Sequence, residues 1–512
     1  MAGVRSSVPL VSPSPSRVAP DEDSRARGPW LWVAALAAAA GLCWLPFLGR
    51  TLSPDEGGLL TVAGQWAPGT SLYGDYWVDR PPVLIGLFAV ADGMGGAPAL
   101  RAMGVLAVVA TVVLAGAIGR LVAGPRATTR RVVLPAATAA LFVATPLFGG
   151  TVVSAELLGL PFVLAGIASA LVSLDRPGRP SAAAWAAGAG AAGAAAFLVK
   201  QNIVDVFLFV LVVAVLRGGR GAGFGVTARL RLVGGAACGA VAVVALVLGV
   251  AAARGTSVSG VWDAVVVFRA QAAGIIAQSD NPAMGKRLGG VLVALVFSGA
   301  PVLAAALAWT SARRRGARAR RTGLRSAAWA MLTWEMLVVL VGGGYWLHYL
   351  MGLVPGLVVL AAVSAPTRPS RARWLVSAYA YTACSTVAVL CWVFVHPIER
   401  PEEPAIAYLT AHARPGDSAV VAFGAPNILQ GAGLQSPYPQ LWSLPARVRD
   451  PEARKLTAVL AGPEAPTWLV VSGRSVTTWG IDGGAANRVV RSRYEPAVTA
   501  GNFRIFVRKD RR

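Results

Sequence analysis

The sequence predicts an α-helical polytopic membrane protein with a small C-terminal α/β domain outside the membrane. Three observations predict this fold class. Of the 512 residues, 55% are hydrophobic and only 14% are charged, whereas a soluble domain carries about 25% charged residues. Apolar runs of about 14 to 22 residues, long enough to cross a bilayer, recur along the first 395 residues. The basic residues are concentrated in alternate loops between these runs.

The charge distribution indicates topology and not nucleic-acid binding. The formal charge is +23, from 47 Lys and Arg against 24 Asp and Glu. The N-terminal segment and five short loops hold 24 of the 47 bases, the opposite loops hold 8, and the last 117 residues hold 15. Cationic short loops are retained on the cytoplasmic side of a membrane. We therefore expect a multi-pass protein of the cytoplasmic membrane, with no nucleic-acid partner.

The chain divides into three parts. Residues 1–29 lack apolar periodicity and predict a disordered cytoplasmic tail, residues 30–395 predict the membrane domain, and residues 396–512 predict the outer α/β domain. We predict eleven spans, and because this number is odd we expect the N-terminus on the cytoplasmic side and the C-terminus on the outer side. The eleven predicted spans are 30–48, 97–118, 132–149, 154–174, 182–199, 203–216, 232–252, 289–309, 326–343, 347–364 and 374–395.

Several further elements can be read from local patterns. The apolar piece 82–92 predicts an interfacial or re-entrant helix, because a further span would place the bases of 126–131 outside. The Ala- and Gly-rich segment 181–199 predicts close approach of neighbouring helices. In the outer domain, strands are predicted at 418–423, 467–472 and 503–508, and helices at 404–413 and 450–461.

The acidic residues predict where the chemistry takes place. Eight acids fall in loops or span ends on the outer side, and five of them lie between residues 55 and 92. Ser53-Pro54-Asp55-Glu56 is typical of a capping box that opens a helix. A carboxylate at that helix start is also suited to take a proton from an attacking hydroxyl. The two interpretations are compatible, since a cap would fix the position of the acid.

A second motif follows in the same loop. Asp79-Arg80 stands directly before Pro81-Pro82. Prolines keep the preceding residue extended and start a helix. We therefore expect Asp79 and Arg80 to be held at the membrane surface.

The order of these motifs resembles the bacterial glycosyltransferases of the GT-C class, relatives of the protein O-mannosyltransferases and of the lipid A aminoarabinose transferases. The resemblance covers about residues 30–210. It implies transfer of a sugar from a polyprenyl-phosphate carrier on the outer face, with Asp55 as the catalytic base and Glu56 as its catalytic neighbour. It also implies that Asp79 is a second acid and that Arg80 meets the donor phosphate, where aminoarabinose transferases have Glu-Lys-Pro-Pro.

Three later residues are further candidates from the same resemblance. Glu156 lies where the family often has a second acid, although a solvated interfacial Glu is an equal alternative. Lys200 is one of four lysines in the chain and is suited to bind a phosphate, although snorkelling is the alternative. His348 is a candidate for the carrier phosphate or a hydrated interfacial residue. Asp205 and Glu335 lie within spans and are expected to face protein or water.

These residues predict an inverting transfer to an acceptor hydroxyl of an envelope protein, lipid or polysaccharide. The cations would stabilise the departing lipid phosphate, and a divalent metal ion is a further candidate for that charge. No other cofactor is indicated. A transporter or lipid flippase is the main alternative, but it would place ionisable groups and broken helices near the bilayer midplane. A non-catalytic envelope scaffold is the second alternative.

Overall fold

The computed structural model describes residues 22–66, 69–125, 127–176, 179–216, 225–278, 282–312, 319–365, 373–478 and 480–511. Most of the predicted disordered tail, residues 1–21, lies outside this part of the chain. The prediction is wrong for residues 22–29, because the first helix already begins at Glu22.

Helices packed side by side make up the chain as far as residue 395. Short 3-10 turns follow α1 and α5 and precede α15, and a π-helical turn (Asp263–Val267) joins α10 to α11. The helices are α1 (Glu22–Leu42), α2 (Pro54–Gly64), α3 (Pro82–Gly93), α4 (Ala97–Ala123), α5 (Thr129–Ala144), α6 (Ala155–Asp175), α7 (Pro180–Val199), α8 (Asp205–Leu216), α9 (Val226–Ala253), α10 (Val258–Trp262), α11 (Phe268–Ala277), α12 (Pro282–Phe297), α13 (Ala300–Ala312), α14 (Ala319–Val341), α15 (Leu353–Ser364) and α16 (Arg373–Val395).

The number of membrane-capable helices differs from the eleven predicted spans. Among the described residues, nine helices are long and apolar enough to cross a membrane, and the pair α12–α13, bent by 46°, brings the number to ten. The predicted spans 132–149 and 203–216 correspond to α5 and α8, of 16 and 12 residues. Conversely, residues 253–288, predicted as an outer loop, contain the apolar helix Val258–Ala277. Its hydropathy is interrupted by Asp263 and Arg269, which is why the sequence indicated a loop.

Five segments that the charge pattern assigned to one side of the membrane meet at one end of the helix bundle. We call this end the site face. Among the described residues it comprises the predicted outer loops 49–66, 69–96, 150–153, 200–202, 253–278, 282–288 and 344–346, together with the adjoining residues 154–156 and 347–348. Contacts between these segments include Glu56 with Val153 and Lys200 with Glu156. The helix α3 belongs to this face. Its 12 residues extend about 18 Å, too short for the bilayer core, as expected for an interfacial or re-entrant helix.

The C-terminal α/β unit (residues 403–511) packs against the site face through α18 and α19. Its four-stranded sheet has the order β1-β2-β4-β3, with β1 parallel to β2 and the other pairs antiparallel. The three predicted strands and two predicted helices are present, whereas β3, α18, α19 and α21 had not been predicted. The elements are α17 (Glu403–His412), β1 (Ala419–Ala422), α18 (Asn427–Ala432), α19 (Ser443–Arg449), α20 (Arg454–Ala461), β2 (Trp468–Ser472), α21 (Gly484–Arg493), β3 (Tyr494–Ala500) and β4 (Phe503–Arg508).

The Ala- and Gly-rich helix α7 packs closely on α9, as its composition predicted. A Cβ at Gly190 would lie 1.7 Å from the carbonyl oxygen of Ala236, and a Cβ at Gly239 would lie 1.9 Å from that of Ala187. The two backbones are therefore in direct contact at these points. Small residues allow such contacts in lipid, where there is no hydrophobic drive for helices to associate.

A buried ion pair joins α2 to α4. Glu56 is 0% exposed and Arg101 is 1% exposed. Arg101 Nη1 lies 3.0 Å from Glu56 Oε1, and Arg101 Nη2 donates a hydrogen bond to Glu56 Oε2 at 3.2 Å. Arg101 also donates to the carbonyl oxygen of Thr151 at 3.1 Å, so the pair ties α4 to two segments of the site face.

We expect Gly190→Ala to lower the thermal midpoint of the purified protein in detergent, because the added methyl group would force α7 and α9 apart. Gly249→Ala on α9 is the matched control, since a Cβ there meets nothing within 4 Å. The control should leave the midpoint unchanged or raise it slightly, because Ala is the better helix former. Equal midpoints for the two variants would contradict the backbone contact.

We expect Glu56→Leu to reduce stability by about 3–5 kcal/mol, because it leaves the Arg101 charge buried without a partner. The double variant Glu56→Leu/Arg101→Met should recover part of that loss, because it removes both charges. Chemical or thermal unfolding in detergent measures both. A double variant as unstable as the single one would show that the stranded charge is not the cause.

Candidate active site

The start of α2 carries the first predicted acid pair. The Ser53 Oγ accepts a hydrogen bond from the Glu56 N–H at 3.3 Å, and the Ser53 N–H donates to Glu56 Oε2 at 2.9 Å. The predicted capping box is therefore confirmed. Asp55 is only partly buried, and its Oδ1 accepts a hydrogen bond from Trp442 Nε1 at 3.1 Å. Consecutive residues of a helix point about 100° apart, so Asp55 and Glu56 face different surroundings.

Glu56 does not share the environment of Asp55, and its full burial argues against the predicted catalytic role. Besides Arg101 and Ser53, it accepts a hydrogen bond from the Val153 N–H at 2.7 Å. With no exposed surface and both oxygens engaged, its carboxylate cannot touch a substrate. Glu56 is a structural residue that fixes the start of α2 beneath Asp55.

The Asp79-Arg80-Pro81-Pro82 motif adopts the predicted form. Pro81 is extended and Pro82 is the first residue of α3. Asp79 is buried, and its two oxygens lie 2.8 Å from Arg80 Nη1 and 2.8 Å from Arg269 Nη2. Burial alone would raise the pKa of Asp79, but the two guanidinium groups outweigh it and hold the pKa below its usual value. Asp79 is therefore ionised at neutral pH and orients two arginines.

Arg269 was missed by sequence reasoning. It lies at the start of α11, directly after the π-helical turn, and approaches Asp79 from 190 residues away. The available sequence signal was that Arg269 is the single charged residue between Ala264 and Ala277. It lies in a segment predicted on the side of the membrane that holds few bases. Its side chain is 36% exposed and that of Arg80 is 25% exposed, so both guanidinium groups are accessible.

A second cluster contains the remaining predicted residues. Glu156 lies in the first turn of α6, where its Oε1 is ion-paired with Lys200 Nζ at the end of α7. His348 Nε2 lies 3.9 Å from Glu156 Oε2. Lys200 Nζ also lies 4.2 Å from the centre of the Tyr349 ring, a cation–π distance. Glu156 is thus a buried counter-ion, and Lys200 is held between it and an aromatic face.

The two clusters and Asp55 lie within electrostatic reach of one another. Burial alone would lower the pKa of Arg80, but the nearby carboxylates, Asp79 first and also Asp55 and Glu156, raise it above its usual value. The structure thus brings together six of the seven predicted site residues: Asp55, Asp79, Arg80, Glu156, Lys200 and His348. The seventh, Glu56, is instead buried in its ion pair with Arg101.

Two further acids lie beneath this site. Asp205 is 1% exposed and Glu335 is 2% exposed, which confirms that they face protein and not lipid. With Glu156 they line a cavity of about 10 Å³, about the space that one water molecule needs. Within the described residues, Asp205 Oδ1 and Glu335 Oε1 have no hydrogen-bond partner.

The described residues offer no ligand set for a divalent metal ion. No group of three or more His, Cys, Asp or Glu side chains in the described chain could hold a metal. Asp79 and Glu156, the buried acids of the site, are each engaged by two basic side chains. The positive charge of the site comes from Arg80, Arg269 and Lys200.

No model of a protein family matches the chain, and no curated protein sequence matches it. Among solved structures, the chain is similar to ArnT from Cupriavidus metallidurans bound to undecaprenyl phosphate, with 16% identity, a TM-score of 0.56 and coverage of 93% of this chain and 97% of ArnT. Apo ArnT gives 14% identity, a TM-score of 0.59 and coverage of 93% and 98%.

A more distant similarity involves the oligosaccharyltransferase of Archaeoglobus fulgidus in its apo form. The identity is 11% and the TM-score is 0.50, with coverage of 86% of this chain and 69% of the archaeal chain. ArnT and this enzyme are both GT-C glycosyltransferases. At such low identity the similarity establishes the fold, and it extends beyond the 30–210 region where the motifs resemble that class. The chain has the GT-C fold over nearly its whole length.

Proposed function

We propose that the chain is an inverting glycosyltransferase that moves a sugar from a polyprenyl-phosphate carrier to an acceptor hydroxyl of the cell envelope. The observation that carries this proposal is the juxtaposition of an accessible carboxylate, Asp55, with the cations Arg80, Arg269 and Lys200 at one end of a membrane helix bundle. An acid and a phosphate-binding group in one site are what this reaction requires. The solved ArnT structure, which has the same fold, is bound to undecaprenyl phosphate.

In this mechanism Asp55 is the general base. Trp442 occupies its Oδ1, and among the described residues nothing donates to Oδ2. The acceptor hydroxyl would lose its proton to Asp55 as its oxygen attacks the anomeric carbon from the side opposite the phosphate. The bond between that carbon and the phosphate oxygen breaks in the same displacement, and the configuration is inverted.

The leaving group is the polyprenyl phosphate, which departs with the bonding electron pair. Its developing negative charge would be stabilised by Arg80 and Arg269, whose planar guanidinium groups suit phosphate oxygens. Lys200 adds a compact positive charge, and His348 completes the cluster. Asp79 and Glu156 keep these cations in place as counter-ions.

We assign the site face to the outer side of the cytoplasmic membrane, with the N-terminus inside and the C-terminal α/β unit outside. The support is the concentration of Arg residues in the loops of the other side. Nucleotide sugars are confined to the cytoplasm, so a lipid-linked donor meets the needs of a site on the outer side. Comparing the envelope glycans of a deletion strain with those of its parent by mass spectrometry would identify the acceptor.

We expect Asp55→Asn to reduce sugar transfer from a polyprenyl-phosphate donor by about 10²–10⁴-fold, the usual contribution of a general base. Transfer by purified membranes measures this. Asp75→Asn is the control, because Asp75 is an exposed acid of the same loop, and it should transfer normally. Undiminished turnover in the Asp55 variant would remove the residue from the base role.

We expect Arg269→Ala and Lys200→Ala each to weaken binding of undecaprenyl phosphate by about tenfold, because each removes a charge-assisted contact. Titration of the detergent-purified protein with the lipid phosphate measures the affinity. Arg454→Ala is the control, since Arg454 is 81% exposed and pairs with Glu452 in the C-terminal unit. Unchanged affinity in both site variants would contradict the phosphate assignment.

A further inference from the structure

One short segment of the C-terminal α/β unit contacts the elements that carry Asp55, Arg80 and Arg269. We call residues 439–449, which end in α19, the bridging segment. Its first contact is with the base: Trp442 Nε1 donates to Asp55 Oδ1 at 3.1 Å. The indole also packs on the backbone of α2, since a Cβ at Gly58 would lie 2.4 Å from Trp442 Cζ2. Trp442 therefore restrains both the carboxylate and the helix that carries it.

The second contact is with the loop that carries Asp79 and Arg80. The Trp77 N–H donates to the Pro439 carbonyl oxygen at 3.0 Å, and Trp77 pairs with Gln440 as an isolated parallel bridge. Trp77 lies two residues before Asp79. The bridging segment thus pairs with this loop through the backbone, as a neighbouring strand would. This pairing limits how far Asp79 and Arg80 can move.

The third contact is with the helix that carries Arg269. Arg449, the last residue of α19, lies 2.6 Å from Asp263 Oδ2 in the π-helical turn. Its guanidinium carbon lies 5.0 Å from the centre of the Trp77 ring and 5.6 Å from that of Phe268. Phe268 immediately precedes Arg269, and its ring contacts that of Trp77 with a centroid distance of 4.5 Å. Arg449 therefore holds together the two aromatic residues next to the phosphate-binding arginines.

We propose that the bridging segment is a positioning element of the catalytic centre: Trp442 orients the base, and Arg449 sets the spacing of the two arginines. This inference rests on the proposed function. Displacement of a reacting group by about 1 Å can reduce a rate about 10²-fold. The base and the phosphate-binding arginines belong to different helices and loops of the bundle. The C-terminal unit joins them, so it contributes to the reaction even without touching substrate.

The test for the base uses a matched pair of tryptophans in the full-length protein. Trp442→Phe removes the indole N–H and keeps most of the ring. Trp468→Phe is the control, because Trp468 Nε1 also donates to a carboxylate, Asp417 Oδ2 at 3.3 Å, in the same C-terminal unit. We expect Trp442→Phe to lower kcat about tenfold with the donor KM within twofold of the parent. Trp468→Phe should stay near the parent in both constants.

The test for the arginines uses Arg449→Ala with Arg454→Ala as control. We expect Arg449→Ala to raise the donor KM about tenfold, because the phosphate-binding groups lose their spacing, and the control to have the parent KM. Arg449 lies at the surface, so this arm stays informative if Trp442→Phe does not fold. Kinetic constants equal to those of the matched controls in either arm would overturn the corresponding assignment.

A readout independent of activity separates this inference from the proposed function. Hydrogen exchange of residues 50–58 should accelerate in Trp442→Phe and remain slow in Trp468→Phe. If the parent protein transfers no sugar from any polyprenyl-phosphate donor, the proposed function fails. Unchanged exchange in Trp442→Phe would instead show that the bridging segment does not position the base.

Discussion

The carboxylate of Glu56 fixes the geometry on which both halves of the site depend. It caps the start of α2 directly beside Asp55, and it accepts a hydrogen bond from Val153 at 2.7 Å, three residues before Glu156. Arg101 supplies the compensating charge from α4. An unpaired carboxylate in this buried position would be very costly, so the contacts with Arg101, Ser53 and Val153 stabilise the start of α2. The positions of Asp55 and of the Glu156–Lys200 pair are therefore both set relative to the carboxylate of Glu56.

The second constraint is the mutual repulsion of Arg80 and Arg269, whose guanidinium groups lie beside the same carboxylate, that of Asp79. Asp79 gives one oxygen to Arg80 and the other to Arg269, so that the two arginines are held together. A guanidinium group has five N–H donors, and the proposed phosphate binding would use those that Asp79 does not occupy. Glu156 likewise supplies the negative charge that holds Lys200 in place. Asp79 and Glu156 thus organise positive charge, which is consistent with the proposal that Asp55 is the base.

Local chemistry was predictable from the sequence, whereas long-range contacts were not. The capping box and the Pro81-Pro82 start of α3 depend on neighbouring residues, so composition and spacing were sufficient. Arg269 and Trp442 reach the site across 190 and 387 residues of sequence, and no local pattern reports such contacts. The role of Glu56 was missed for a different reason. Adjacent acids look equivalent in a sequence, and only the packing of α2 decides which of them is enclosed.

The π-helical turn of Asp263–Val267 decides the direction in which the following residues point. A π turn contains one residue more than a regular turn, and each residue of a helix adds about 100° of rotation. Restoring a regular helix by removing one residue would swing the guanidinium of Arg269 to another side of its helix. The number of residues in this turn therefore matters more than the identity of its three valines, residues 265–267. Related sequences could exchange these valines freely among branched apolar residues, while an insertion or deletion would redirect the arginine.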